Sequence, residues 1–65
     1  MKRYEIGTKF KSLDYHATGI RKGDVVEVLN YVERDASVGG YTYWGICGRG
    51  VDHNWVEKGY VEVVE

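Results

Sequence analysis

An all-β fold, a small barrel of about five or six short antiparallel strands, is predicted by three features of this sequence. First, "DVVEVLNYV" (Asp24 to Val32), "YTYWGIC" (Tyr41 to Cys47) and "YVEVVE" (Tyr60 to Glu65) are dense in β-branched and aromatic residues, which suit strands better than helices. Second, glycine stands between these stretches, at Gly7, Gly19, Gly23, Gly39-Gly40, Gly48, Gly50 and Gly59, where short strands need tight turns. Third, the chain has 65 residues, and strands this short cover their own edges only by curling together.

Taken in order, strands are expected near residues 3–6 and 8–13, readable as one bent strand either side of Gly7. The third runs near 24–33, opened by the turn at Gly23, and the fourth near 41–47, after the Gly39-Gly40 pair. The turn Gly48-Arg49-Gly50 leads into a strand near 50–55, and Gly59 into a last one near 60–64. A chain this size is one domain close to the limit at which a single core offsets chain entropy.

Composition narrows the class further. Hydrophobic residues are 43% and charged residues 29%, too apolar and aromatic for a disordered chain. One cysteine forms no internal disulfide, and no run approaches a membrane span or signal peptide, so a reducing cytoplasmic setting and no membrane partner are expected. The formal net charge of −1 argues against affinity built on phosphate neutralisation. The charge is uneven, net +4 over residues 1–22 and −5 over 23–65, and the segments neutralise one another if they pair in a barrel, or else leave a basic edge.

Alternation along the 41–47 strand puts Tyr41, Tyr43, Gly45 and Cys47 on one face and Thr42, Trp44 and Ile46 on the other. The Trp44/Ile46 face is expected inside, because Ile46 is aliphatic and an inward Gly45 would leave an unfilled volume. Val26, Val28, Val56, Val61, Leu13 and Ile20 complete the expected core. Tyr41 and Tyr43 then face solvent, either as cross-strand pairs that bind nothing or as part of a docking strip.

"RKGDVVEVL", "YWGICG" and "VEKGYVEVVE", with "SLDYHA" at 12–17, resemble an SH3 domain over roughly residues 9–65. In that family a Lys-Gly-Asp turn opens a Val/Ile-rich strand, an aromatic pair opens the next, and an Asn-Tyr-Val-Glu-like segment closes the barrel. The resemblance implies an SH3-like barrel in which Tyr15, Tyr43 and Tyr60, with Tyr41 and Trp55, form the partner-binding face. Departures weaken the implied recognition of proline-rich peptides. The loop between Tyr15 and Lys22 is short and lacks a carboxylate, the first aromatic position is Tyr43 where the family has tryptophan, and Glu57 stands where it has proline. Fold does not carry function with it.

No catalytic residue, metal site or cofactor is expected. His16, His53, Cys47, Asp14 and Asp52 are the only nucleophile, base or ligand candidates, and none has a recognised metal or Cys-His spacing. Cys47 and His53 could approach across the Gly48–Gly50 turn, but a pair without an orienting third group is a weak signal. That turn is not a phosphate loop, since neither a helix nor a Lys-Ser/Thr pair follows it.

The expected function is a non-catalytic SH3-like binding module, a small adaptor or inhibitor of bacterial or phage type docking on a larger cytosolic protein or peptide. It would act as a monomer or weak homo-oligomer. Two other classes remain: a small barrel that binds nucleic acid through exposed aromatics and lysines, and an oligomeric enzyme resembling plasmid-type dihydrofolate reductase. On this reading Tyr43→Ala spares the fold and weakens binding, while Ile46→Ala unfolds the protein.

Overall fold

The computed structural model describes residues 3–46 and 48–64. Five strands alternate with short helical turns: β1 (Lys9–Ser12), α1 (Tyr15–Thr18), β2 (Val25–Glu33), a single 3-10 turn (Ala36–Val38), β3 (Tyr41–Gly45), β4 (Gly50–Asp52), α2 (Asn54–Glu57) and β5 (Val61–Val63). They form one antiparallel sheet in the order β4-β3-β2-β1-β5. The sheet curls into an all-β half-barrel, consistent with the SH3-like class.

The nine-residue β2 makes this curvature possible. Its first part pairs with β1 (Phe10 opposite Val26) and its second with β3 (Tyr31 opposite Tyr43), and the register shifts between Val28 and Asn30. Leu29 is the extra residue of that bulge. A bulge bends a strand and resets its alternation. Val26 and Val28 therefore point inward before it, and Tyr31, three residues on, packs against the core after it.

This reset corrects the expected facing of β3. Tyr43 lies opposite Tyr31 on one side and Val51 on the other, and it is fully buried, whereas Trp44 is 38% and Ile46 67% exposed. The core comprises Phe10, Ile20, Val26, Val28, Tyr43, Val51 and Val61, with Tyr4, Tyr31, Tyr41, Trp55 and Val56 packed against it. Ile20, Val26, Val28 and Val61 thus occupy their expected places and Val56 lies at the core's margin. Leu13 is only half-buried and outside the cluster. Nor does an inward Gly45 leave a void, because the side chain of Val26 fills the space a Cβ would take. The glycine is the complement of a β2 valine two residues before its own cross-strand partner, Val28.

Two expected strands also change. Residues 3–6 form no strand but an arm leading to a turn closed by the bond from Thr8 N–H to the Glu5 carbonyl, 3.1 Å. The strand expected over 50–55 stops at Asp52, and α2 follows from Asn54. The turn α1 begins where the Asp14 carboxylate accepts the N–H groups of His16 and Ala17, 2.9 and 3.3 Å, an N-cap of the usual kind. It ends at Gly19, whose φ of 73° is left-handed and suits a helix stop. No helix of the described residues is long and apolar enough to cross a membrane.

Candidate functional site

Tyr43 organises one end of the half-barrel. Its hydroxyl accepts the backbone N–H of Tyr4 at 3.0 Å and lies 2.7 Å from Nδ1 of His53. The Tyr43 hydroxyl keeps a proton and a second lone pair, so it meets Nδ1 of His53 as donor or as acceptor according to the imidazole tautomer. Burial pushes the Tyr43 phenol above its ordinary range, partly offset by the hydrogen bond from Tyr4. His53 precedes α2 but makes no side-chain cap there.

Rings surround this bond. Tyr4 meets Phe10 edge-on at 5.3 Å and lies tilted against His53 at 5.2 Å, Tyr41 stacks on Tyr43 at 6.4 Å, and Tyr31 meets Tyr41 edge-on at 6.1 Å. The Arg3 guanidinium lies 4.2 Å from the Tyr31 ring centre, a cation–π contact. Arg3, Tyr4, His53 and Glu57 line a surface pocket of about 440 Å³ at the edge of this cluster.

A second feature lies on the other side of the sheet. Trp44 is paired with Gly50, and its indole carbons lie 3.0–3.4 Å from where a Gly50 Cβ would be. The missing side chain lets the ring lie across β4, an arrangement in which an aromatic covers a cross-strand glycine. Thr42, two residues earlier on that face, is held by its hydroxyl donating to the Asp52 carboxylate at 3.0 Å. Ile46, Leu29 and Val32 are 67%, 52% and 45% exposed. Asn30 is opposite Trp44 and Val32 opposite Thr42, so Val32 and Trp44 are diagonal neighbours on the outer face, within reach of an aromatic side chain.

The five sequence-predicted site residues do not form one strip. Tyr43 is interior and offers nothing to a partner, and Tyr41 is half-buried against it. Tyr15 on α1 is exposed, and its ring pairs with His16. Trp55 and Tyr60 are half-buried, Trp55 packing against the core and Tyr60 lying 6.0 Å from the Lys58 ammonium. Backbone bonds from Leu13 to Tyr60 (2.8 Å) and from Tyr60 to Trp55 (2.9 Å) bring the segments bearing these three residues side by side. Among the described residues, no ring pair joins them to Tyr41 or Tyr43. The suggested approach of Cys47 to His53 lies outside the described residues.

The residues that shape both features were not read from sequence as binding residues: Arg3 and Tyr4 for the pocket, with His53 named only as a base or ligand candidate, and Leu29, Val32, Trp44 and Ile46 for the outer face. A usable signal existed for Trp44, since a glycine opposite a tryptophan in paired strands leaves room for the ring. No signal in the sequence placed Tyr4 against Tyr43. Compared with known protein families, curated proteins and solved structures, the chain matches none of them.

Proposed function

We propose that the protein is a non-catalytic SH3-like binding module that docks on a larger protein through the outer face of β2, β3 and β4. One observation carries the reading: Trp44, seated over Gly50, shares that face with the exposed Val32, and the exposed Ile46 and Leu29 lie nearby along β3 and β2. Exposed large apolar side chains gathered on these strands mark a surface of the kind that serves as an interaction site. Tryptophan is the commonest anchor of such sites, giving a large contact area at low entropic cost. An indole already seated on the backbone gives up little freedom on docking, which favours binding.

The sheet's inner face supports this role by being spoken for. Tyr43, Phe10 and the valines are committed to the core, so β3 can expose Trp44 on its other face without weakening the barrel. Tyr15 on α1 and the adjacent Trp55 and Tyr60 segments form a secondary contact region in this proposal. Adaptor and inhibitor roles share this docking step.

The test is affinity capture with wild type, Trp44→Ser, Ile46→Lys and Tyr15→Ser side by side, each first shown to melt like wild type. The proposal expects a protein held by wild type and lost with Trp44→Ser and Ile46→Lys. Equal capture by all four would refute the outer face. Binding to single-stranded nucleic acid that falls steeply with salt would replace the protein partner with the nucleic-acid reading. Sedimentation as a stable tetramer would favour the oligomeric reading.

A further inference from the structure

We infer that the pocket beside Tyr43 binds a carboxylate that has a cationic group next to it, a site separate from the outer sheet face. The pocket walls are Arg3, Tyr4, His53 and Glu57 around about 440 Å³. Arg3 is held in place: its guanidinium rests 4.2 Å from the Tyr31 ring centre, a cation–π contact that restricts it. Its one ion pair among the described residues, to the largely exposed Glu5, spans 3.8 Å, too long for a hydrogen bond. The fork therefore keeps donors for a carboxylate, which arginine holds in bidentate fashion.

His53 supplies a second polar edge. Its Nδ1 is occupied by the Tyr43 hydroxyl, which leaves the Nε2 edge of the ring for a ligand in the pocket it lines. Tyr4 is fixed by its own N–H on the Tyr43 oxygen and by its ring on Phe10, forming an aromatic wall for an aliphatic stem. Glu57 gives the pocket its selectivity. A bare anion beside this carboxylate is repelled, whereas a ligand whose own cation lies near its carboxylate satisfies Arg3 and Glu57 together. The same chemistry occurs at the free end of a peptide finishing in lysine and in neighbouring Asp and Lys side chains on a partner.

An NMR titration of the labelled protein tests this with four probes. Nα-acetyl-lysine, with both charges, is expected to shift the Tyr4 and His53 signals saturably; Nα-acetyl-lysine amide, lacking the carboxylate, is expected to leave them unmoved. N-acetylnorleucine, lacking the ammonium, is expected to bind more weakly to wild type and to gain affinity in Glu57→Gln. Arg3→Gln is expected to weaken Nα-acetyl-lysine by about tenfold or more and Arg3→Lys by less, since lysine keeps the charge without the fork. Acetyl-Asp-Lys-amide separates the sources: binding like Nα-acetyl-lysine assigns the site to side chains of a partner, and no binding assigns it to a chain end. The inference is overturned if no probe saturates, if acid and amide bind alike, or if Arg3→Gln keeps wild-type affinity. The exposed Glu57 keeps the test decisive should the arginine variants fail to fold. Ile46→Lys is expected to bind the probes like wild type, so failure here and failure of the sheet-face proposal are distinguishable.

Discussion

Replacing Tyr43 with phenylalanine removes one oxygen and leaves the ring in place. The oxygen accepts from Tyr4 N–H and bonds His53 Nδ1, so its loss strands the Tyr4 N–H and the His53 Nδ1. A stranded buried polar group costs about 1–3 kcal/mol. Tyr4 and His53 are only half-buried and water reaches part of what they lose, so the combined cost is about 2 kcal/mol. A domain this size has a total stability of roughly 3–10 kcal/mol, and each 1 kcal/mol shifts its Tm by about 4–8 °C. Tyr43→Phe is therefore expected to melt roughly 8–16 °C below wild type by far-UV circular dichroism, with a matching fall in urea midpoint and an unchanged m-value. A Tm within about 2 °C of wild type would refute the role assigned to the hydroxyl. Tyr43→Ala, which also removes the ring, is expected to lose about 3–5 kcal/mol and to approach unfolding.

Other expectations follow from neighbouring contacts. Gly45→Ala drives a Cβ into Val26 and should destabilise by about 1–3 kcal/mol in urea titration, with Gly45→Ala/Val26→Ala recovering part of the loss. Asp14→Ala removes the acceptor for two N–H groups at the start of α1 and should cost about 1 kcal/mol by the same assay. The Tyr43 phenol is raised above its unfolded-chain value by burial, so its contribution is fully present below about pH 10 and is lost as pH climbs through the folded value. Stability should fall across that alkaline window, and one of the six tyrosines should give phenolate absorbance only late or on unfolding. A Tyr43→Phe protein that shows the same late phase would assign it to another ring.

The strands were legible because Val25 to Val32, Tyr41 to Gly45 and Val61 to Val63 carry the β-branched and aromatic residues that suit a pleated surface, and the turns because glycine marks them. Which way β3 faces was not legible, because it depends on β2. Alternation within 41–45 allows either face inward, and the choice is made when the Leu29 bulge lets Tyr31 follow Val28 inside and carries Tyr43 with it. The volume argument against an inward Gly45 failed for a related reason: what occupies a glycine's space is a neighbour distant in sequence, here Val26. The helical turns α1 and α2 are too short for periodicity to reveal, although Asp14 and Gly19 bracket the first as caps. The candidate site was the least legible, since Arg3, Tyr4, His53 and Glu57 meet only through the fold.

Equilibrium unfolding of Ile46→Lys is the most direct measurement of the claim that β3 turns Tyr43 inward and Trp44 and Ile46 outward. At 67% exposure the lysine ammonium stays in water, and a free energy within about 0.5 kcal/mol of wild type is expected. A loss of about 3 kcal/mol or more would mean a charge had been forced into the core, and would contradict the orientation on which both proposed surfaces depend.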